Sequence, residues 1–178
     1  FNSEYETFSG HARIFTINLN PTLSDSTPVD NATAVATDSN IVLNFSEAVD
    51  VETGNIIIKI TSDNSTVETI DVSSTQVTGT GTNQITINPS NDLASATQYY
   101  IQIDATAFDD ASGNSYAGIS DTTTLSFTTA DVISPTLDSS SPDDDLDALA
   151  IDTNIVLNFS EAVDVETCLL YTSDAADE

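Results

Sequence analysis

The chain has 178 residues, 39% of them apolar, enough for one ordinary domain and part of a second. Asp and Glu number 29 against 2 Lys and Arg, a formal net charge of -27; this excludes a nucleic-acid partner and anionic lipid held by a basic patch, since Arg13 and Lys59 are the only fixed cations. The polar remainder is rich in Thr, Ser, Asn and Asp, which favour strands and turns over helices. In chain order, a first strand is expected near Leu23. Ile41, Leu43 and Phe45 then alternate with Val42 and Asn44, and Ile56, Ile58 and Ile60 alternate with Ile57 and Lys59, so each segment turns one face to a core. Further strands are expected at "TVETIDV" (66–72), "QITIN" (84–88), "QYYIQID" (98–104) and "TLSFTT" (124–129). The connections carry turn residues: "SDNS" from Ser62, "GTGTN" from Gly79 and "DDASGN" from Asp109. No segment sustains a helical period; at most, "DLASATQ" from Asp92 and "ATAFDD" from Ala105 each form a single helical turn.

Short strands at this spacing predict an all-β fold, an Ig-like antiparallel β-sandwich of about seven strands with Greek-key connections. The chain also repeats itself. "IVLNFSEAVDVET" runs from Ile41 to Thr53 and returns from Ile155 to Thr167, an offset of 114 residues. The ungapped match begins at Pro21 and Pro135 and pairs Pro28 with Pro142 and Asp38 with Asp152. Shared turn prolines indicate tandem domain duplication, because strand periodicity alone preserves only apolar spacing. A unit this long suits a sandwich rather than a solenoid repeat.

The expected organisation is a tail of a preceding module over 1–19, a complete domain over 20–130, the N-terminal part of a second copy over 131–167, and a foreign tail over 168–178. That tail, "CLLYTSDAADE", reads as the translation of a transposase-type sequencing adapter at the end of a metagenomic fragment, with natural divergence as the alternative. The segment "TADVISPT", ending at Thr136, is expected to be a linker too short to let domains swing freely. Two strands of a second copy have no opposite sheet, so Ile155, Leu157 and Phe159 are expected to be exposed or docked on the first domain.

"PTLSDSTPVDNATAVATDSNIVLNFSEAVD", "DLASATQYYIQIDATAFDDASGNSYAGI" and "TTTLSFTT" resemble the bacterial Ig-like domain of the surface-layer type, repeated in secreted adhesins and motility-associated surface proteins. The resemblance covers Pro21 to Thr129 fully and Pro135 to Thr167 in part. It implies a tandem extracellular module and no catalytic residue. "SGHARIFTIN" (9–18) is similar to the strand that ends FG-GAP or integrin-alpha-like propeller repeats; an unaffiliated linker strand is the alternative.

Chemistry is sought without a motif to anchor it. His11 is the only histidine, so a hydrolytic triad lacks its base in the complete unit, and Cys168 is the only cysteine, which disfavours zinc and allows no intrachain disulfide. None of the 6 glycines is arranged to cradle a phosphate. No catalytic, cofactor or metal residue is assigned. Calcium is the one metal the composition invites, with Asp109, Asp110 and Asn114 on one loop and Asp143, Asp144, Asp145 and Asp147 near the junction. Asx turns and solvated charge explain the same residues. In "FSEAVD", Phe45 is expected in the core, with Ser46 and Glu47 turning the chain off its strand; a binding role for Glu47 is the alternative.

The sequence therefore points to a non-enzymatic spacer module of a large tandem-repeat protein, adhesin or surface-layer-like, extracellular or on a bacterial surface. The expected partners are neighbouring repeats of the same chain, with cell-surface or glycan ligands reached through other domains, and neither nucleic acid nor direct membrane insertion. An accessory domain of a secreted polysaccharide-degrading enzyme is one alternative. A glycan-binding module is another, with Tyr116 and Phe108 as the loop aromatics to recognise its ligand.

Overall fold

Ten strands of the first unit form two sheets that sandwich one core. They are β1 (Leu23–Thr27), β2 (Ala32–Val35), β3 (Ile41–Val51), β4 (Asn55–Ile60), β5 (Thr66–Asp71), β6 (Val77–Thr78), β7 (Thr82–Ile87), β8 (Gln98–Ile103), β9 (Phe108–Asp109) and β10 (Ser126–Thr129). Two more, β11 (Leu137–Ser141) and β12 (Val156–Phe159), belong to the second unit. The structure is a computed structural model that describes residues 19–144 and 149–164, and the chain divides into units of 1–131 and 132–178. The described residues contain no helix.

One sheet has the order β1-β3-β7-β6, with β9 paired to the far part of β3; the other runs β2-β10-β8-β4-β5. The chain changes sheet after β1, β2, β3, β5, β7, β8 and β9, which is the Greek-key wiring of an Ig-like sandwich. Pairing is antiparallel within the first unit except between β2 and β10, which run parallel.

Alternation decides which side chains meet. Ile41 and Leu43 on β3 face Ile87 and Ile85 on β7, while Ile56 and Ile58 on β4 face Ile103 and Ile101 on β8; all eight are buried. Tyr99, Phe127 and Ile70 join the same cluster. Each such aliphatic side chain contributes about 1.5–3 kcal/mol on burial. At one end, Phe45 stacks obliquely on Phe108 at 5.4 Å and edge-on to Tyr116 at 5.2 Å.

The expected turn at Ser46 and Glu47 does not occur. β3 runs on to Val51, and its last residues pair with β9 through Asp50↔Asp109 and Val51↔Phe108. Between Asn44↔Gln84 and Val49↔Thr82 the register shifts, so "FSEA" forms an irregularity within the strand rather than a corner. The Ser46 amide donates to the Thr22 carbonyl at 2.9 Å and its Oγ accepts from the Thr22 amide at 3.0 Å, fastening β3 to the segment before β1.

The allowance for single helical turns is also unused. Ala105–Asp110 holds a turn that leads into β9, and in Asp92–Gln98 the chain reverses through Ala96 at φ 48°. A glycine is required at Gly79, at φ +107°, where a Cβ would lie 2.0 Å from the Gln84 carbonyl oxygen; without that close approach β6 could not fold back on β7.

In the second unit β11 and β12 form an antiparallel pair: Leu137↔Phe159, Ser139↔Asn158, Ser140↔Leu157 and Ser141↔Val156. At an offset of 114 residues these repeat Leu23↔Phe45, Asp25↔Asn44, Ser26↔Leu43 and Thr27↔Val42, with the register shift at the same step. The serine fastening repeats too, the Ser160 amide donating to the Thr136 carbonyl at 2.9 Å and Ser160 Oγ accepting from the Thr136 amide at 2.9 Å. Burial does not repeat: Ile155, Leu157 and Phe159 are 76%, 49% and 37% exposed, against 1%, 0% and 3% for Ile41, Leu43 and Phe45.

Candidate functional site

The loops between β8 and β10 carry the densest polar chemistry of the first unit. Asp110 is buried. Its carboxylate accepts from the Ser112 amide at 2.9 Å, the Asn114 amide at 2.8 Å and the Asn114 side-chain amide at 2.8 Å. The loop "DDASGN" is thus wound around its own acid, and Gly113 at φ +82° allows the reversal. Asp109 lies half-buried on β9, opposite Asp50.

Asp121 closes the next loop. Its carboxylate accepts from the Thr123 amide at 2.7 Å, the Thr124 amide at 2.7 Å and the Thr124 hydroxyl at 2.7 Å. Those donors, led by the Thr123 amide, lower its pKa to about 2. Burial raises the Tyr116 hydroxyl, and the Asp121 charge adds to that rise.

A third acid ties strands that are far apart in sequence. Glu68 on β5 accepts from the Ser90 amide at 3.1 Å, from the Ser90 hydroxyl, and from the Gln76 side-chain amide at 2.8 Å. Burial by itself raises the Glu68 pKa, but these hydrogen bonds outweigh it and the carboxyl sits below its ordinary value. Chemically, all three acids are acceptors that lock turns and edges.

The sequence candidates are dispersed. Asp110 and Asn114 share one loop, and Asp109 ends β9 just before it; Asp143 and Asp144 are exposed in the second unit. Asp145, Asp147, His11, Cys168 and the expected preceding module lie outside the described residues. Among the described residues, no group of three or more His, Cys, Asp or Glu side chains is placed to hold a metal ion. Glu47 is half-buried within β3. Tyr116 and Phe108, expected to be loop aromatics, are 6% and 0% exposed; they fill the end of the sandwich against Phe45, leaving neither ring face for a sugar.

Two surface depressions of the first unit are small. One of about 280 Å³ is lined by Leu23, Asp25, Val29, Asp30 and Thr124; the other, of about 60 Å³, by Asp38, Asn88, Ser90 and Asp92. Both fall below the roughly 300–1,000 Å³ of ordinary ligand pockets. Sequence reasoning missed Glu68, because its partner Ser90 lies 22 residues away with no local signal. It missed Asp121 as well, although "DTTT" is an Asx-turn pattern that could have found it.

Two sheets in this order, a core shared between them and loops that serve geometry define a β-sandwich module of the Ig class. The profile of the bacterial Ig-like domain family matches residues 18–129, and the chain belongs to that family. No curated protein matches it. Among solved structures, the S-layer protein rSbsC(31-844) is 16% identical with a TM-score of 0.43, the match covering 68% of this chain and 16% of that one. CopC from Methylosinus trichosporium OB3b is 15% identical at a TM-score of 0.44, over 64% of this chain and 97% of that one. PcoC, a copper resistance protein from Escherichia coli, is 19% identical at a TM-score of 0.33, over 60% of this chain and 97% of that one.

Proposed function

We propose that the chain is part of a tandem array of Ig-like modules acting as a non-enzymatic spacer in a bacterial cell-surface or secreted protein of the adhesin or surface-layer-like kind. The observation that carries this reading is the recurrence, 114 residues on, of the β1–β3 register and its serine fastening in β11–β12. A second Ig-like domain opening with that hairpin accounts for the recurrence. A series of such modules holds a distal domain away from its anchor, each folding on its own core. The charge of -27 keeps acidic modules soluble and apart, best in saline surroundings where it is screened.

Neighbouring repeats are then the partners, with any ligand recognised elsewhere in the parent protein. The glycan-binding alternative loses its cue with the burial of Tyr116 and Phe108. PcoC is named as a copper resistance protein, and copper favours thiolate, thioether and imidazole ligands; the 178 residues hold no Met, one Cys and one His.

Recovery of the complete gene tests the proposal. The expected result is several further copies at the same spacing, each keeping the "PTL" and "FSEAVD" frame, with no catalytic domain beside them. One or two copies adjoining a hydrolase domain would establish the accessory-domain alternative instead.

A further inference from the structure

Four asparagines stand in Asn-X-Ser/Thr triplets with X other than proline: Asn31, Asn44, Asn64 and Asn158. That triplet is what asparagine-glycosylating transferases read, the amide nitrogen accepting the sugar and the hydroxyl two residues on completing the recognition. The sequence ranks the four equally; the structure does not. Asn44 is half-buried within β3, which is bonded to β1 and β7, and its amide is engaged at both ends: Nδ2 donates to Asp25 and Oδ1 accepts from Gln84 Nε2 at 2.9 Å. Asn158 on β12 donates from Nδ2 to Ser139 Oγ at 2.9 Å. Asn31 donates from Nδ2 to the Asp30 carboxylate at 2.7 Å, and its backbone amide is bonded to the Ser126 carbonyl at 2.7 Å.

Asn64 differs on each count. It lies at the tip of the β4–β5 hairpin, in an unbroken run of exposed residues, 62–67. The tip is closed by the Ile60 amide on the Ser65 carbonyl and the Asn64 amide on the Ile60 carbonyl, both at 3.0 Å, and Asn64 holds a φ of 58° that asparagine tolerates. Its Oδ1 accepts from the Tyr100 hydroxyl at 3.1 Å, while among the described residues Nδ2 has no partner. The oxygen anchors the amide and leaves the nitrogen free. Thr66, which supplies the hydroxyl, opens β5 and is exposed beside it.

We propose that Asn64 is an N-glycosylation site whose donor is a sugar activated at C1 by a diphosphate. In the transfer, the bond from Asn64 Nδ2 to C1 forms as the bond from C1 to the diphosphate oxygen breaks. The amide gives one proton to a base on the transferase, and the diphosphate leaves on its carrier. The backbone bonds that close the tip do not involve Nδ2, so the product keeps the hairpin. A neutral glycan here stands next to β5, an edge strand whose Val67 is 44% exposed, and bars edge-to-edge pairing between copies. The inference rests on the hairpin and not on the spacer reading, so a parent gene without further repeats leaves it standing.

The test incubates the folded full chain, in two arms, with transferases that need only the triplet: a soluble one with uridine diphosphate-glucose, and a membrane-bound one with a polyprenyl-diphosphate oligosaccharide. Peptide mapping by mass spectrometry is expected to place the sugar on Asn64 in at least one arm, which identifies the carrier. Occupancy there is expected to exceed that of Asn31, Asn44 or Asn158 at least tenfold. Asn64→Gln should lose the signal. Thr66→Ala should lose it as well while keeping Asn64 in its turn, and circular dichroism verifies that this variant is folded. No sugar in either arm overturns the proposal. So does equal or higher occupancy at another triplet, or a sugar that persists on Asn64 in Thr66→Ala.

Discussion

The four residues of β12 repeat four of β3, Val42–Phe45, in different surroundings. Leu43 is fully buried and Leu157 half exposed, although each sits in a hairpin with the same register and the same serine fastening. Local sequence thus determines the hairpin, while burial is conferred by strands that arrive much later in the chain. The largest consequence is for truncation. Leu43→Ala is expected to destabilise the chain by about 2–5 kcal/mol, through lost transfer energy and a cavity. Leu157→Ala is expected to change the main unfolding transition by less than about 0.5 kcal/mol. Urea unfolding followed by circular dichroism separates the two, and equal losses would show that the second hairpin shares the first unit's core.

The comparison is sharpened by Glu68, a fastening that draws on parts of the sandwich beyond the hairpin. Glu68→Gln is expected to cost about 1 kcal/mol, since its hydrogen bonds are charged but largely exposed. The pH dependence has a definite sign. The folded carboxyl lies below its ordinary 4.5, so its contribution is full at neutral pH, begins to fall near pH 4.5 and is lost as pH drops through the folded value. Melting curves between neutral and acidic pH should therefore show the wild type losing its advantage over Glu68→Gln in acid. A gap that stays constant with pH would contradict the assignment.

The smallest effect addresses what the two hairpins have in common. Ser46→Ala removes the acceptor for the Thr22 amide, and Ser160→Ala removes the equivalent acceptor for Thr136. The first is expected to lower global stability by about 0.5–1 kcal/mol, the net worth of one exposed hydrogen bond. The second should leave the main transition in place and raise amide exchange only around Thr136. Faster exchange there, with no shift in the melt, is the signature of a hairpin outside the cooperative core.

The long alternating strands were legible because their pattern is local: Ile41–Phe45, Ile56–Ile60 and Tyr99–Ile103 each show a period of two. β2, β6 and β9 were not, being four, two and two residues long and defined by partners far along the chain. "FSEAVD" looked like a corner because Ser, Glu and Asp interrupt the apolar pattern. Its continuation as strand depends on Phe108–Asp109, which nothing within the motif announces. Phe108 and Tyr116 looked exposed because Gly, Asp and Asn surround them in sequence. In space they cap Phe45. The turn-locking of Asp110 was readable from spacing; Asp121, whose "DTTT" carries the same signal, was passed over, and the latch of Glu68 to Ser90 had no local signal at all.

The parallel pair of β2 and β10 joins the opening of the domain to its close, reinforced by the Asn31 amide on the Ser126 carbonyl at 2.7 Å and the Ala130 amide on the Val35 carbonyl at 2.7 Å. Tension applied through the two ends drags these strands past one another lengthwise, so their bonds must fail together in shear rather than unzip singly. A sandwich wired this way resists tension applied between its two ends.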